Sequence, residues 1–508
     1  MIKLEDIRDP QALQQAAILL EKTVIRQGKE IAELRSEIAR LKGLDVDPQM
    51  ELALLKEQLA AMQQAVFGRS SERRPSGHGE EEAKAKKPQR GHGPRPQPNL
   101  PIEVVTHTLP EEEQVCTFCG GQLDEWSEQA EESEEITVVG VRYKILKHRR
   151  QKYRCECNTQ VVTAPGPVKL IPGGRYSIDF AAHVAEAKYL DHMPLERQVR
   201  AMGRAGLDTD SQTLWDQIEA LAGRLEPTYD ALCAKVMASE VVFADESRWQ
   251  LMNRQGSARW WTWCVASDEI ATYRITSSRS AKIAREIFAG FQGVAMVDGY
   301  GVYQSLKKAT RAGPRAPIIW AHCWAHVRRK LLEAEDMYPE LSNTAVALIN
   351  ELYKIEREAP RIEPGMPADE CEQRLELRHR LRQEKSRPII TKLRDWALEQ
   401  RGLVLPRSKM GKAIEYMLNL WEGLTVFLDD PRVPLDNNAA ERALRGVVLG
   451  RKNHSGSRSK RGAEVAAIFY TLLETAKLSN VDPRAYLRQA AIRAINTPGT
   501  VTLPQDLT

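Results

Sequence analysis

Three carboxylates in this sequence stand where they could work together. Asp245 closes the apolar run Val-Val-Phe-Ala-Asp (241–245), and Asp298 closes Val-Ala-Met-Val-Asp (294–298). Short runs of this kind read as buried strands, each with an acid at its exit. Glu441 lies in Asp-Asn-Asn-Ala-Ala-Glu-Arg-Ala-Leu-Arg (436–445). Ala439, Ala440, Ala443 and Leu444 favour helix, and Asp436, Asn437 and Asn438 are good N-cap types. Glu441 then falls in the first turns of a helix, with Arg445 one turn on along the same face. Two strand-end aspartates and a helical glutamate can converge to hold divalent metal ions. A plainer reading makes Glu441 half of a capping box with Asn438 as the cap. That accounts for the helix start and leaves the two aspartates unexplained. Asp436 reads as a helix cap. Glu246, next to Asp245, is expected on the other face of the strand.

A second group of ligand types lies upstream. Cys116-Thr-Phe-Cys119-Gly-Gly has the spacing of a zinc-binding turn, and Cys155-Glu-Cys157 offers a tighter second pair. Four thiolates suit one tetrahedral Zn²⁺; the competing reading is free thiols in a hairpin. Between the pairs the chain turns from acidic to basic. Arg149, Arg150 and Lys152 sit in a stretch where Val141, Tyr143 and Ile145 alternate with charges. That is strand patterning, either a DNA-facing ribbon or a solvated sheet face.

The elements that must position these groups follow from patterning. The 508 residues suggest about three or four domains. A net charge of +4 means that any nucleic-acid contact must come from local basic patches. No apolar run approaches the roughly 18 residues of a membrane helix, and the N-terminus lacks a signal-peptide core, so a cytoplasmic protein is expected. Residues 1–67, with Val24, Ile31, Leu34, Ile38 and Leu41 at 3-4 spacing, read as coiled-coil helices that self-associate, the competing reading being an amphipathic helical hairpin packed on its own chain. Residues 68–104 form a basic linker and 105–166 the zinc module. Residues 167–236 are helical with a helix-turn-helix pattern, which puts Gln212 and Thr213 either on DNA or in a plain bundle. Residues 237–326 carry three strands that can meander, then strands separated by helices, the order of an RNase-H-like α/β core. Cys323 and His326 are expected to fix the end of the fifth strand near the carboxylates. Residues 327–431 read as an all-helical insertion, 432–480 as the last part of the core, and 481–508 as a tail.

These pieces together resemble the insertion-sequence-66 family of bacterial DDE transposases. The matching residues are Ala244-Asp-Glu-Ser247, Asp298-Gly-Tyr300, Cys323-Trp-Ala-His-Val-Arg-Arg-Lys330, Asp436-Asn-Asn-Ala-Ala-Glu-Arg442 and Leu449-Gly-Arg-Lys-Asn453. Ser247 stands where threonine is usual, and His454-Ser-Gly replaces an aromatic stretch. The resemblance implies a catalytic triad of Asp245, Asp298 and Glu441 holding two Mg²⁺ (or Mn²⁺) ions about 3.5–4 Å apart, which activate water and then a DNA 3′-hydroxyl. It also implies double-stranded DNA as partner, both element ends and target. A homo-oligomer, a dimer in the simplest case, and small accessory proteins of the same element are implied too. No phosphate-cradling Gly-x-x-x-x-Gly-Lys loop is present, so no nucleotide hydrolysis is expected. Arg442, Arg445, Arg451 and Lys452 are placed to contact phosphates, although Arg445 could instead pair with Glu441. Two other readings are a zinc-dependent DNA-binding protein without catalysis and a nuclease that cuts without joining.

The cysteine spacing yields a direct test. Elemental analysis of the purified chain should find one Zn²⁺ per molecule, lost in a Cys155→Ser/Cys157→Ser variant. Equal zinc in both proteins would overturn the assignment.

Overall fold

The structure, a computed structural model, describes residues 143–149, 152–154, 161–163, 165–253, 256–310, 318–362 and 365–507. The chain divides into two units, Met1–Val141 and Arg142–Thr508, and every described residue belongs to the second. The coiled-coil stretch, the basic linker, Arg150 and the cysteines Cys116, Cys119, Cys155 and Cys157 lie outside the described residues.

Strands β1 (Lys152–Arg154) and β2 (Val161–Thr163) pair antiparallel, whereas the alternating residues Tyr143 and Ile145, expected in a strand, lie in irregular chain before β1. Three helices follow: α1 (Ile178–Tyr189), α2 (Leu195–Arg204) and α3 (Ser211–Val236). Ser177 and Asp210 cap α1 and α3, each accepting a backbone N–H from the first turn.

The central sheet has five strands: β3 (Val241–Asn253), β4 (Gly256–Ala266), β5 (Ala271–Thr276), β6 (Val294–Val297) and β7 (Ile319–His322). Their spatial order is β5-β4-β3-β6-β7. The first three pair antiparallel as hairpins, and β6 and β7 add in parallel beside β3. The crossovers are α4 (Ala281–Ile287) and α5 (Gly301–Thr310). β6 is buried on both sides, which is why it reads as an unbroken apolar run. Successive residues serve two cores. Ala295 and Val297 join one with Val242 and Ala244, while Val294 and Met296 join the other with Phe243.

The first core takes in α1, α3 and the C-terminal helices α14 (Lys460–Leu478) and α15 (Pro483–Asn496). Residues 481–508 are therefore more than a tail: Tyr486 and Leu487 of α15 are fully buried. The second core is made with the helices between β7 and Glu441. In chain order these are α6 (Trp324–Leu332), α7 (Pro339–Glu358), α8 (Ala368–Leu381), α9 (Arg387–Leu403), α10 (Lys409–Asn419) and the short α11 (Trp421–Leu424) and α12 (Val426–Asp429), and all but α8, which buries no residue, feed that core. Arg382, in a π-helical turn between α8 and α9, ties them together. Its fully buried guanidinium binds Glu356 and the carbonyls of Phe427 and Asp430.

Helix α13 (Asn438–His454) carries Glu441, and its entry is set by one side chain. β6 flanks β3 only from Val241 to Phe243, so the next carbonyl, that of Ala244, has lost its strand neighbour on that side. The Asn437 side-chain amide donates to it at 2.8 Å. The Asn437 backbone N–H donates to Cys323 Sγ at 3.3 Å, and Trp324 N–H donates to the Leu435 carbonyl at 2.9 Å. Asn437, fully buried, thereby joins β3, the end of β7 and α13. It is also the N-cap residue, although its side chain is spent on β3 and caps nothing. Asn438 is the first helical residue, so the capping box with Asn438 does not form. Asp436 accepts the Asn438 N–H at 3.2 Å. At the other end, Ser455 closes α13 in the left-handed conformation, and Ser457 pairs with Gln250 and Met252 of β3.

Removing the Asn437 side chain leaves a buried carbonyl unpartnered. Asn437→Ala should lower unfolding free energy by about 1–3 kcal/mol in denaturant titration, whereas exposed Asn438→Ala should stay within about 0.5 kcal/mol. The reverse order would contradict this account of the helix entry.

Candidate functional site

Asp245 and Asp298 come together where the β3–β6 pairing stops. Asp245 lies on β3 opposite Cys264 of β4, and Asp298 leaves the end of β6, which pairs with β3. The turn after Asp298 is tight. Asp298 accepts the Tyr300 N–H at 2.9 Å, and Gly299 N–H donates to the Tyr416 hydroxyl at 3.1 Å. A Cβ at Gly299 would run into the Tyr416 ring, so only glycine lets α10 close against this turn.

A third carboxylate joins them, and it is Glu246. Oxygens of Asp245, Glu246 and Asp298 all lie within 4.8 Å of one another. The expectation that Glu246 turns away from the group is corrected. β3 loses β6 beyond Phe243, so the strip beside Asp245 is open to side chains from either face of the strand. Glu246 is well held there. Arg279 donates from Nε at 2.7 Å and from Nη2 to one carboxylate oxygen, and the Tyr303 hydroxyl donates at 2.7 Å to the other. The Arg279 guanidinium lies 3.5 Å from the Tyr300 ring centroid and 4.9 Å from that of Trp261.

Crowding acids in a buried place raises their proton affinity. Burial, then the charges of Glu246 and Asp298, push Asp245 up to about 8, and Glu441 adds to the shift. Glu246 is raised by burial and by Asp298, with Tyr303 and Arg279 acting against it. A divalent cation relieves this repulsion, and three carboxylates in mutual reach are the donor set that Mg²⁺ or Mn²⁺ prefers. The residues present fit such an ion.

Glu441 stands outside this tight group. It projects from the first turn of α13, 32 % exposed, with Oε1 3.8 Å from His326 Nε2. Burial first, then Arg329, lower the His326 pKa, so the contact joins a carboxylate to a neutral imidazole. Arg445 makes no ion pair with Glu441 among the described residues. Cys323, whose thiol burial pushes up to about 12, remains protonated and accepts the Asn437 N–H. Cys323 and His326 thus both touch the segment that leads into Glu441.

The residues expected at DNA fall in different places. Arg442, Arg445 and Lys452 are exposed on α13, and Arg445 and Lys452 share a stripe with Glu441. Arg451 is committed inward: its guanidinium donates to the Arg248 carbonyl and to the Ser247 hydroxyl. Exposed Gln212 donates to Asp216 at 2.7 Å, and the Thr213 hydroxyl donates to its cap, Asp210. Arg149 is exposed before β1, and Lys152 lies in β1.

The raised Asp245 gives a pH signature. Its folded pKa of about 8 exceeds the ordinary 3.8, so the stabilisation from protonated Asp245 is complete below about pH 4 and is lost as pH rises toward 8. Saturating Mg²⁺ should therefore raise the melting temperature much more at about pH 9 than at about pH 5, where protons compete for the ligands. An equal rise at both would contradict metal binding at these acids.

The model of a family described as Transposase IS66 family matches residues 173–465. Three proteins of Sinorhizobium fredii (strain NBRC 101917 / NGR234), each described as uncharacterized, are similar to the chain. y4hP is 31% identical over 408 residues, 76% of this chain and 71% of its own length. y4jD is 31% identical over 78% of this chain and 77% of its own. y4qI is 29% identical over 96% and 94%. The family match takes in Asp245, Glu246, Asp298, His326 and Glu441, and the chain belongs to the IS66 family of transposases.

Proposed function

We propose that this protein is a DDE transposase that binds the ends of its insertion sequence and carries out metal-dependent strand cleavage and strand transfer. The observation that carries this reading is the convergence of Asp245 and Asp298 where the parallel pairing of β3 and β6 stops, beside the helix that Asn437 pins to β3 and that bears Glu441. The strand order, three antiparallel strands with two added in parallel, supports an RNase-H-like core, and the helices 324–429 support a large insertion before its last catalytic helix.

Asp245, Asp298 and Glu441 would hold two Mg²⁺ or Mn²⁺ ions. Bound there, these ions would activate the attacking oxygen and stabilise the departing one. The chain's own residues do the rest. Tyr416 and Asp298 fix the turn at the end of β6, and Arg279 and Tyr303 hold Glu246 beside Asp245. Arg442, Arg445 and Lys452 offer exposed cations to DNA phosphates in sequence-independent, salt-sensitive contact. The zinc module, with Arg149, Arg150 and Lys152, and the α2–α3 pair with Gln212 and Thr213 are proposed to recognise element ends. The N-terminal helices are proposed to pair two chains, so that both ends are held at once. Small companion proteins and a cytoplasmic site of action belong to the same reading.

A second assignment of the third acid is favoured by one observation: Glu246, not Glu441, lies in the tight group. Glu441 is partly exposed and touches only the edge of His326, whereas Glu246 is already bound to Arg279 and Tyr303. Mg²⁺-dependent nicking of end-containing DNA, with accessory proteins supplied, separates the two. Asp245→Asn, Asp298→Asn and Glu441→Gln should each cut at least about 1,000-fold more slowly, some 4 kcal/mol of barrier, with near-normal DNA binding. Wild-type cutting by Glu441→Gln with loss in Glu246→Gln would transfer the role to Glu246.

A further inference from the structure

A pair of cations beside the acids is left without carboxylate partners. Helix α6 starts directly from the end of β7, and His326, Arg329 and Lys330 follow it at i, i+3 and i+4, on one face. That face is the one turned toward the acids, since His326 Nε2 lies 3.8 Å from Glu441 Oε1. Arg329 is exposed. The Lys330 ammonium lies 4.7 Å from the centroid of the Tyr416 ring, and the hydroxyl of that ring takes the Gly299 N–H next to Asp298. Lys330 is therefore one aromatic ring away from the turn that carries a metal-facing aspartate. Neither Arg329 nor Lys330 forms an ion pair among the described residues, although Glu441 is close by. The preceding cation, Arg328, is occupied differently, donating to Asn350 at 3.1 Å.

Cations next to unneutralised carboxylates would ordinarily close on them. Here Lys330 is seated on a ring face, which fixes its position. Arg329 leaves its planar fork in solvent, the arrangement that suits bidentate contact with a phosphate. We propose that Arg329 and Lys330 form a phosphate-contacting ridge along one side of the acidic centre, and that this ridge seats the backbone of the DNA strand being processed. The proposal deepens the transposase reading and rests on it. The ridge is on α6 and owes nothing to the exposed cations of α13, so the two sets can be tested apart.

The test is the salt dependence of binding to a short DNA duplex of arbitrary sequence, measured with the full chain. Each phosphate contact contributes about 0.9 to the slope of log affinity against log salt, so Arg329→Gln/Lys330→Gln should flatten the slope by about 2. The charge-conserving Arg329→Lys/Lys330→Arg variant should keep most of it, and its melting temperature controls for folding. An unchanged slope in the glutamine variant, or an equal loss in the charge-conserving one, overturns the ridge. If the wild-type chain itself binds DNA without salt dependence, the transposase reading fails first, and the ridge with it.

Discussion

The site depends on one buried amide. Glu441 is separated in sequence from both aspartates by the whole block of helices between β7 and α13, and nothing local fixes where its helix begins. Asn437 supplies the constraint. Its side chain completes the β3 edge exactly where β6 withdraws, at Ala244, one residue before Asp245. Its backbone reaches Cys323, three residues before His326. One residue thus registers β3, the end of β7 and α13 against one another. A buried amide whose N–H₂ is bonded enforces such a register, because a slip strands both that donor and the Ala244 carbonyl. The tight turn at Gly299, which only glycine permits against Tyr416, does the same for Asp298.

Holding acids together in a buried place works against folding, and the surroundings show how the strain is managed. Glu246 receives a cation and a hydroxyl, both from the sheet's own crossover segments. Among the described residues no cation is paired with Asp245, and burial and its acidic neighbours push it up to about 8. The repulsion is thus compensated at Glu246 and left standing at Asp245. An uncompensated carboxylate is where a divalent ion gains most, so the asymmetry points the binding capacity of the centre toward Asp245 and Asp298. His326, neutral beside Glu441, leaves that third acid likewise uncommitted.

Much of this arrangement was legible in the residues. Apolar runs ending in Asp245 and Asp298 are strands, and the helix begins at Asn438, within the stretch that its alanines marked out. The length of β3 was not legible: it runs on to Asn253, because the hairpin with β4 carries the polar residues past Phe243. Glu246 was misread because period-two alternation fixes where Cβ points, not where a longer carboxylate ends, and because the early stop of β6 is a tertiary fact. Asn437 looked like a cap, since its partner lies 193 residues away along the chain. Helix α15 was missed because alanines make up much of its buried side, a weak periodic signal. Arg451 looked like a DNA contact until β3 was seen to take its guanidinium.

Asp245 and Asp298 are proposed to hold the catalytic ion between them. Anomalous scattering from Mn²⁺ in crystals of the DNA-bound protein tests it most directly. The account predicts a peak shared by the two carboxylates at about 2.0–2.3 Å from an oxygen of each, with Glu441 turned inward. A peak at Glu246 alone, or no peak between the two aspartates, would contradict it.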